Sequence, residues 1–315
     1  MKQNNHLANT LSAAGDSASY DAACKRLLAN KVILAWIMKS CMEEYRNCSI
    51  DEIAHKYIEG DPQIAQMALH QDEVDMIHGI NTEDVSLTEG KVYYDIRFLA
   101  TAPVSGELVR LIINIESQNK FFPGYPLIKR GIYYCSRMIS SQHGTEFTKS
   151  NYGAIKKVYS IWICMNPSEE WENTITEYSV SEKNLIGNAK EQIENYDLMT
   201  VIMIGLGKPG QDNYEGIIRL LEVLLSSRRG VEEKKHILSE EFKIKMTAEL
   251  ESEVALMCNL SQGVENIGFE KGVEKATLDA LRNIMESFKV TLEQAMDVMK
   301  VPEAERQEYA KLLAK

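Results

Sequence analysis

The chemistry-bearing residues of this chain sit in two neighbouring apolar runs. Asp95 lies in "KVYYDIRFLA", and Glu116 lies in "LIINIESQNK". The second run turns polar through Asn114, Glu116, Gln118 and Lys120, each two residues apart. Strand side chains alternate faces, so Glu116, Gln118 and Lys120 share one face as far as the strand extends. A carboxylate buried among apolar residues costs several kcal/mol unless something compensates it. Two such acids brought together make an oxygen-rich site for Mg²⁺ or Mn²⁺, which take carboxylate and water ligands. A metal there activates a water and stabilises charge on a phosphate.

The elements that must position these residues follow from the pattern around them. Strands over about 91–100 and 107–117 are joined by "TAPVSGE", a hairpin signal that sets Asp95 beside Glu116. "FFPGYP" is a turn, and "LIKRGIYYCSRMISSQ" reads as a helix with Ile128, Ile132, Cys135 and Ile139 on one side. "VYSIWICM", "NTITEYSV" and "LMTVIMIGLG" read as strands. Upstream, "DAACKRLLANKVILAWIMKSCMEEY" has helical spacing, and Ser49 with Glu52 forms a capping box. After about residue 212 the chain becomes helical. Thr291 with Gln294 makes a second capping box, and Pro302 opens a last helix. The mixed charges of these last two helices favour a helical hairpin over a DNA-reading helix-turn-helix.

The pattern of Asp95, then Glu116-Ser117-Gln118 about twenty residues on, resembles the PD-(D/E)XK nuclease superfamily, with Gln where the motif has lysine. Arg130, Tyr133 and Tyr134 match an R-x-x-Y-Y motif on the following helix. Together these features resemble the Rpn (recombination-promoting nuclease) and putative transposase branch, over roughly residues 20–205. The resemblance implies an α/β fold, a restriction-endonuclease-like mixed sheet flanked by helices, here with an α-helical C-terminal extension. It implies divalent-metal-dependent DNA cleavage, with Asp95 and Glu116 as metal ligands and Gln118 at the lysine position. Lys120, two residues on, is a candidate to restore the missing charge; alternatively Gln118 positions the water. Such folds add an acid from the first helix, for which Glu43 and Glu44 both stand as candidates, with Glu44 as the third metal ligand. Lys120, Lys129, Arg130, Arg137 and Tyr134 are the candidate DNA contacts. The reading from another class is a catalytically inactive DNA- or protein-binding module of the same fold. Ordinary roles also account for single residues: Asp95 as an ion-pair partner of Arg97 or Arg110, or a tyrosine of the motif as core.

Net charge is −11 over 315 residues, which at first argues against a nucleic-acid partner. The distribution is uneven. Glu43 to Asp95 holds thirteen acids and three bases, whereas Gln118 to Ser160 holds seven bases and one acid. An acidic segment followed by a basic one suits metal ions facing phosphates. No apolar run is long enough to span a bilayer, so no membrane partner is expected. Six scattered cysteines without C-x-x-C suit a reducing cytoplasm. "GLGKPG" at 205–210 fits G-x-G-x-x-G, but Pro209, Gly210 and "QDN" continue a loop where a dinucleotide fingerprint opens a helix, so it reads as a turn. The expected organisation is a flexible tail over 1–18, a nuclease-like domain over 19–212 and a helical extension over 213–315. Partner binding and homo-oligomerisation both fit the Gly-spaced C-terminal helix.

Overall fold

The computed structural model describes residues 19–64, 83–86, 90–104, 107–118 and 121–313. Residues 18–259 form one compact unit, and 260–315 belong to a second.

The first unit opens with helix α1 (19–28) and helix α2 (Lys31–Cys41). The spacing predicts one helix through this region. Instead the chain breaks at Ala29–Asn30, where the Asn30 side chain accepts from the Val32 N–H at 3.0 Å and caps α2. The Ser49–Glu52 capping box forms as expected and opens α3 (Ile50–Glu52). A π-helical turn (Ile53–Tyr57) then leads into strand β1 (Ile58–Ile64). Strands β2 (Glu83–Ser86) and β3 (Gly90–Tyr93) pair with each other. Strands β4 (Ile96–Val104) and β5 (Glu107–Gln118) form the expected antiparallel hairpin, with Ile96 opposite Ile115.

Helix α4 (Leu127–Ser140) crosses back to β6 (Val158–Cys164), which runs parallel to β5. Strands β7 (Thr174–Ser179) and β8 (Met199–Gly205) complete a mixed sheet in the order β1-β4-β5-β6-β8-β7. Every residue of β6 is buried, so both faces of the sheet are covered there. This explains why "VYSIWIC" reads as an unbroken apolar run.

Helix α4 covers one face. Leu127, Tyr134, Cys135 and Met138 pack with Val158, Trp162, Val201 and Met203. The buried stripe is rotated from the one its isoleucines predict, and Ile132 is 45 % exposed. Gly131 allows a close approach: a Cβ there would fall 2.6 Å from Val201 Cγ1. Helices α5 (Gly216–Leu225), α6 (Val231–Glu240) and the start of α7 (Ala248–Phe288) belong to the same unit as the sheet.

In the second unit α7 continues through Gly263, Gly268 and Gly272 without a break. It is followed by α8 (Leu292–Val298), carrying the Thr291–Gln294 capping box, and α9 (Glu303–Leu313). Leu281, Ala295, Met296 and Val301 form the core of this hairpin. Among the described residues no helix is long and apolar enough to cross a membrane.

Candidate active site

Asp95 sits at the bend just before β4, and Glu116 lies near the carboxyl end of β5. The hairpin register therefore brings them side by side. The Asp95 N–H donates to Glu116 Oε1 at 3.1 Å, and the Ser117 N–H donates to Asp95 Oδ2 at 3.0 Å. Each acid is thus fixed by the other's strand. Glu116 is 3 % exposed, and Asp95 also lies largely inside.

The compensation that burial demands comes from α1. Lys25 Nζ lies 2.9 Å from Asp95 Oδ1 and 2.6 Å from Asp21 Oδ2. Burial pushes the Asp95 carboxyl above its usual range, against the pull of the Lys25 ammonium. Burial works against the charge on Lys25 too, but Asp95 and Asp21 outweigh it and raise its pKa to about 12. Neither Lys25 nor Asp21 is singled out by the sequence. The only signal is an Asp–Lys pair at i,i+4 on a helix, which is common on ordinary surfaces.

The R-x-x-Y-Y motif converges on the same place. Arg130 donates to the Tyr134 hydroxyl through Nε at 3.0 Å and Nη2 at 2.6 Å. Its guanidinium lies over the Tyr134 ring at 5.0 Å and the Trp162 ring at 5.2 Å. Burial raises the Tyr134 pKa first, the negative charge of Glu116 raises it further, and Arg130 opposes both. Burial disfavours the Arg130 charge, yet the Tyr134 hydroxyl and Glu116 hold it above its ordinary value. The Tyr134 ring meets Tyr94, the neighbour of Asp95, edge-on at 5.3 Å. Glu116 therefore has a cationic, aromatic wall on the α4 side.

Other expected residues fall elsewhere. Glu44 does not join Asp95. It accepts from the Tyr159 hydroxyl at 2.7 Å and from Lys157 at 3.2 Å, and Lys157 also pairs with Asp197 at 2.6 Å. Tyr159 is near the start of β6, whereas Glu116 is level with Trp162 near its end. The 3₁₀ turn after α2 carries Glu44 to that opposite end, which helical periodicity cannot foresee. Glu43 points outward, its side chain 87 % exposed. Arg137 is buried and donates to the Tyr133 hydroxyl at 3.1 Å, and Tyr134 is buried, so neither lies on a surface for phosphate contact. Lys129 is exposed, and Gln118 ends β5 half-buried, its carbonyl accepting from the Met165 N–H at 3.0 Å. Lys120 lies outside the described residues.

Among the described residues no group of three or more His, Cys, Asp or Glu is placed to hold a metal ion. The pair Asp95 and Glu116 still offers hard carboxylate oxygens of the kind Mg²⁺ takes. Mg²⁺ is commonly held by one or two carboxylates, with water and substrate phosphates filling the other positions. In donor chemistry the pair fits such an ion. Comparison with family models, curated proteins and solved structures gives no match.

Proposed function

We propose that this chain is a divalent-metal-dependent DNA endonuclease of the transposase or recombination-promoting type, built on a PD-(D/E)XK core. One observation carries the reading: two acids, one at the bend that opens β4 and one on β5, twenty-one residues apart, are locked together by paired hydrogen bonds at the carboxyl end of β5. A satisfied structural acid needs one partner; here two acids are held side by side at a buried strand end.

Asp95 and Glu116 would hold the metal. Bound there, Mg²⁺ or Mn²⁺ would supply Lewis-acid polarisation of a phosphodiester and a more acidic water. The chain's own groups prepare that place. The Lys25 ammonium opposes the burial that raises the Asp95 carboxyl. Arg130, fixed by Tyr134, balances Glu116 from the other side. Gln118 follows Glu116 on the same strand face, where a neutral amide can orient a water or a phosphate oxygen without adding charge.

One observation favours the inactive binding module instead. Lys25 already neutralises Asp95, so the acid pair is compensated without a metal. Plasmid cleavage separates the two. Metal-dependent nicking by the wild type, reduced about 10²-fold or more in both Asp95→Ala and Glu116→Ala, is the expected result. A wild type that is inert with Mg²⁺ and Mn²⁺, on single- and double-stranded DNA at low salt, transfers the assignment to the binding module.

A further inference from the structure

The "GLGKPG" segment, which reads as a mere turn, is held by unusual means. It leaves β8 at Gly205, which is level with Cys164 of β6 and through it with Gln118 of β5. The loop therefore emerges at the same end of the sheet as Asp95 and Glu116. Beneath it lie three charged side chains with little solvent exposure: Glu222 at 2 %, Arg229 at 3 % and Arg219 at 8 %. Burying such charges costs several kcal/mol each unless hydrogen bonds repay it. Here many of those bonds go to the loop. Glu222 Oε1 accepts from the Gly210 N–H at 2.7 Å. Arg229 Nη2 donates to the Gln211 carbonyl and to Asp212 Oδ1, both at 2.9 Å. Arg219 Nη1 donates to the same two groups at 3.3 and 2.9 Å. Arg229 Nε closes the cluster on Glu222 at 3.0 Å. On the other side, Gly207 lies against the Tyr214 ring, 2.0 Å from where a Cβ would stand.

This fixed loop and the α5–α6 connection beside it display two cations. Lys208 is exposed at the loop's crown. Arg228 is exposed beside Gly210, whose Cβ position would lie 3.2 Å from Arg228 Cβ. Among the described residues no carboxylate pairs with either side chain. In a chain of net charge −11, two exposed cations without a paired carboxylate among the described residues, one on the immobilised loop and one on the α5–α6 connection beside it, mark a place for an anion. Immobilisation also lowers the ordering cost of binding.

We propose that Lys208 and Arg228 contact the phosphate backbone of duplex DNA entering the Asp95–Glu116 site. This deepens the nuclease reading and rests on DNA being its partner. It adds a phosphate contact outside the basic stretch after Gln118, in which Arg137 is buried and Lys157 is paired with Glu44 and Asp197.

The test is binding of a short labelled DNA duplex to the full chain, without divalent metal, between about 50 and 200 mM salt. Each lost phosphate contact lowers the slope of log affinity against log salt by about 0.9. Lys208→Ala with Arg228→Ala is expected to flatten the slope by about 1.8, with an unchanged melting temperature because both side chains are exposed. Lys243→Ala, whose side chain is 77 % exposed on another loop, serves as the control and is expected to bind as wild type. Identical slopes for wild type and double variant overturn the proposal, as does an equal loss in Lys243→Ala or failure of the wild type to bind duplex. Because the loop's phosphate chemistry also suits a free nucleotide, ATP is titrated in parallel. ATP binding lost in the double variant, with duplex binding kept, assigns the loop to nucleotides and overturns the DNA assignment. Cleavage measured with Mg²⁺ on the same samples separates the two claims. Binding without cleavage in the wild type sinks the nuclease reading and leaves the loop's role standing; cleavage with unaltered slopes does the reverse.

Discussion

Lys25 decides how the acid pair tolerates burial. Its ammonium bridges Asp95 and Asp21, with a side chain only 11 % exposed. Removing one partner of a fully buried pair costs about 3–5 kcal/mol. Asp95 keeps some exposure and also accepts the Ser117 N–H, so Lys25→Met is expected to lower stability by about 2–3 kcal/mol. Adding Asp95→Asn removes the orphaned charge and is expected to recover part of that loss. Denaturant unfolding of the two single variants and the double variant gives the coupling directly. Additive effects would mean that Lys25 and Asp95 do not act as a pair. This partnership also marks the limit of what the residues reveal in advance. Asp95 and Glu116 are legible because hairpin register is a local rule, and Arg130 and Tyr134 are picked out only by the resemblance of R-x-x-Y-Y to a family motif; the four meet at one end of the sheet. Lys25 and Asp21 are not legible, because the contact depends on how α1 docks against a residue seventy positions on from Lys25 in sequence. Glu44 misleads for the converse reason: its neighbour residues look like a continuing helix, but a 3₁₀ turn redirects it.

At the level of elements, the approach of α4 to the sheet sets the wall around Glu116. Gly131 makes that approach close, with Val201 Cγ1 at 2.6 Å and Trp162 Nε1 at 3.1 Å from a Cβ built there. Alanine is the better helix former by about 1 kcal/mol, so on propensity alone Gly131→Ala stabilises. Val201 is β-branched and buried in the sheet, so it has little freedom to yield. Overpacking costs about 1–3 kcal/mol and outweighs the gain. Gly131→Ala is therefore expected to destabilise, and to lower nicking activity by shifting Arg130 and Tyr134. A rise in melting temperature would contradict this packing. Strands β4 to β8 are legible because apolar runs bounded by Pro, Gly and Asn leave few alternatives, whereas β1 is not, because "IEGDPQI" carries Gly, Asp and Pro and reads as irregular. The stripe of α4 is legible in part. Of the expected residues Cys135 is buried and Ile128 and Ile139 pack against the core, but Ile132 faces out and the helix also turns Gly131 and Tyr134 inward. α6 falls within the stretch expected to be helical but is not delimited there, because "VEEKKHILSE" buries only Lys234, Ile237 and Leu238.

For the whole molecule, the division at residue 259 carries a consequence for unfolding. The sheet unit buries most of the chain's apolar side chains, including every position of β6. The second unit, from Leu260 onward, rests on a small cluster of Leu281, Ala295, Met296 and Val301. Segments of about sixty residues bury a modest fraction of their surface and are marginally stable. Two units of such unequal cores are not expected to melt as one. Calorimetry of the full chain should therefore show two transitions, with the weaker from the C-terminal unit. Leu281 is fully buried, and Leu281→Ala removes about 2–5 kcal/mol from its own core. That substitution is expected to lower or abolish the weaker transition and leave the stronger one in place. Gly131→Ala is expected to do the opposite, lowering only the stronger. If either substitution moves a single shared transition, the two units unfold together, and the C-terminal helices must then be treated as part of the sheet's own cooperative fold.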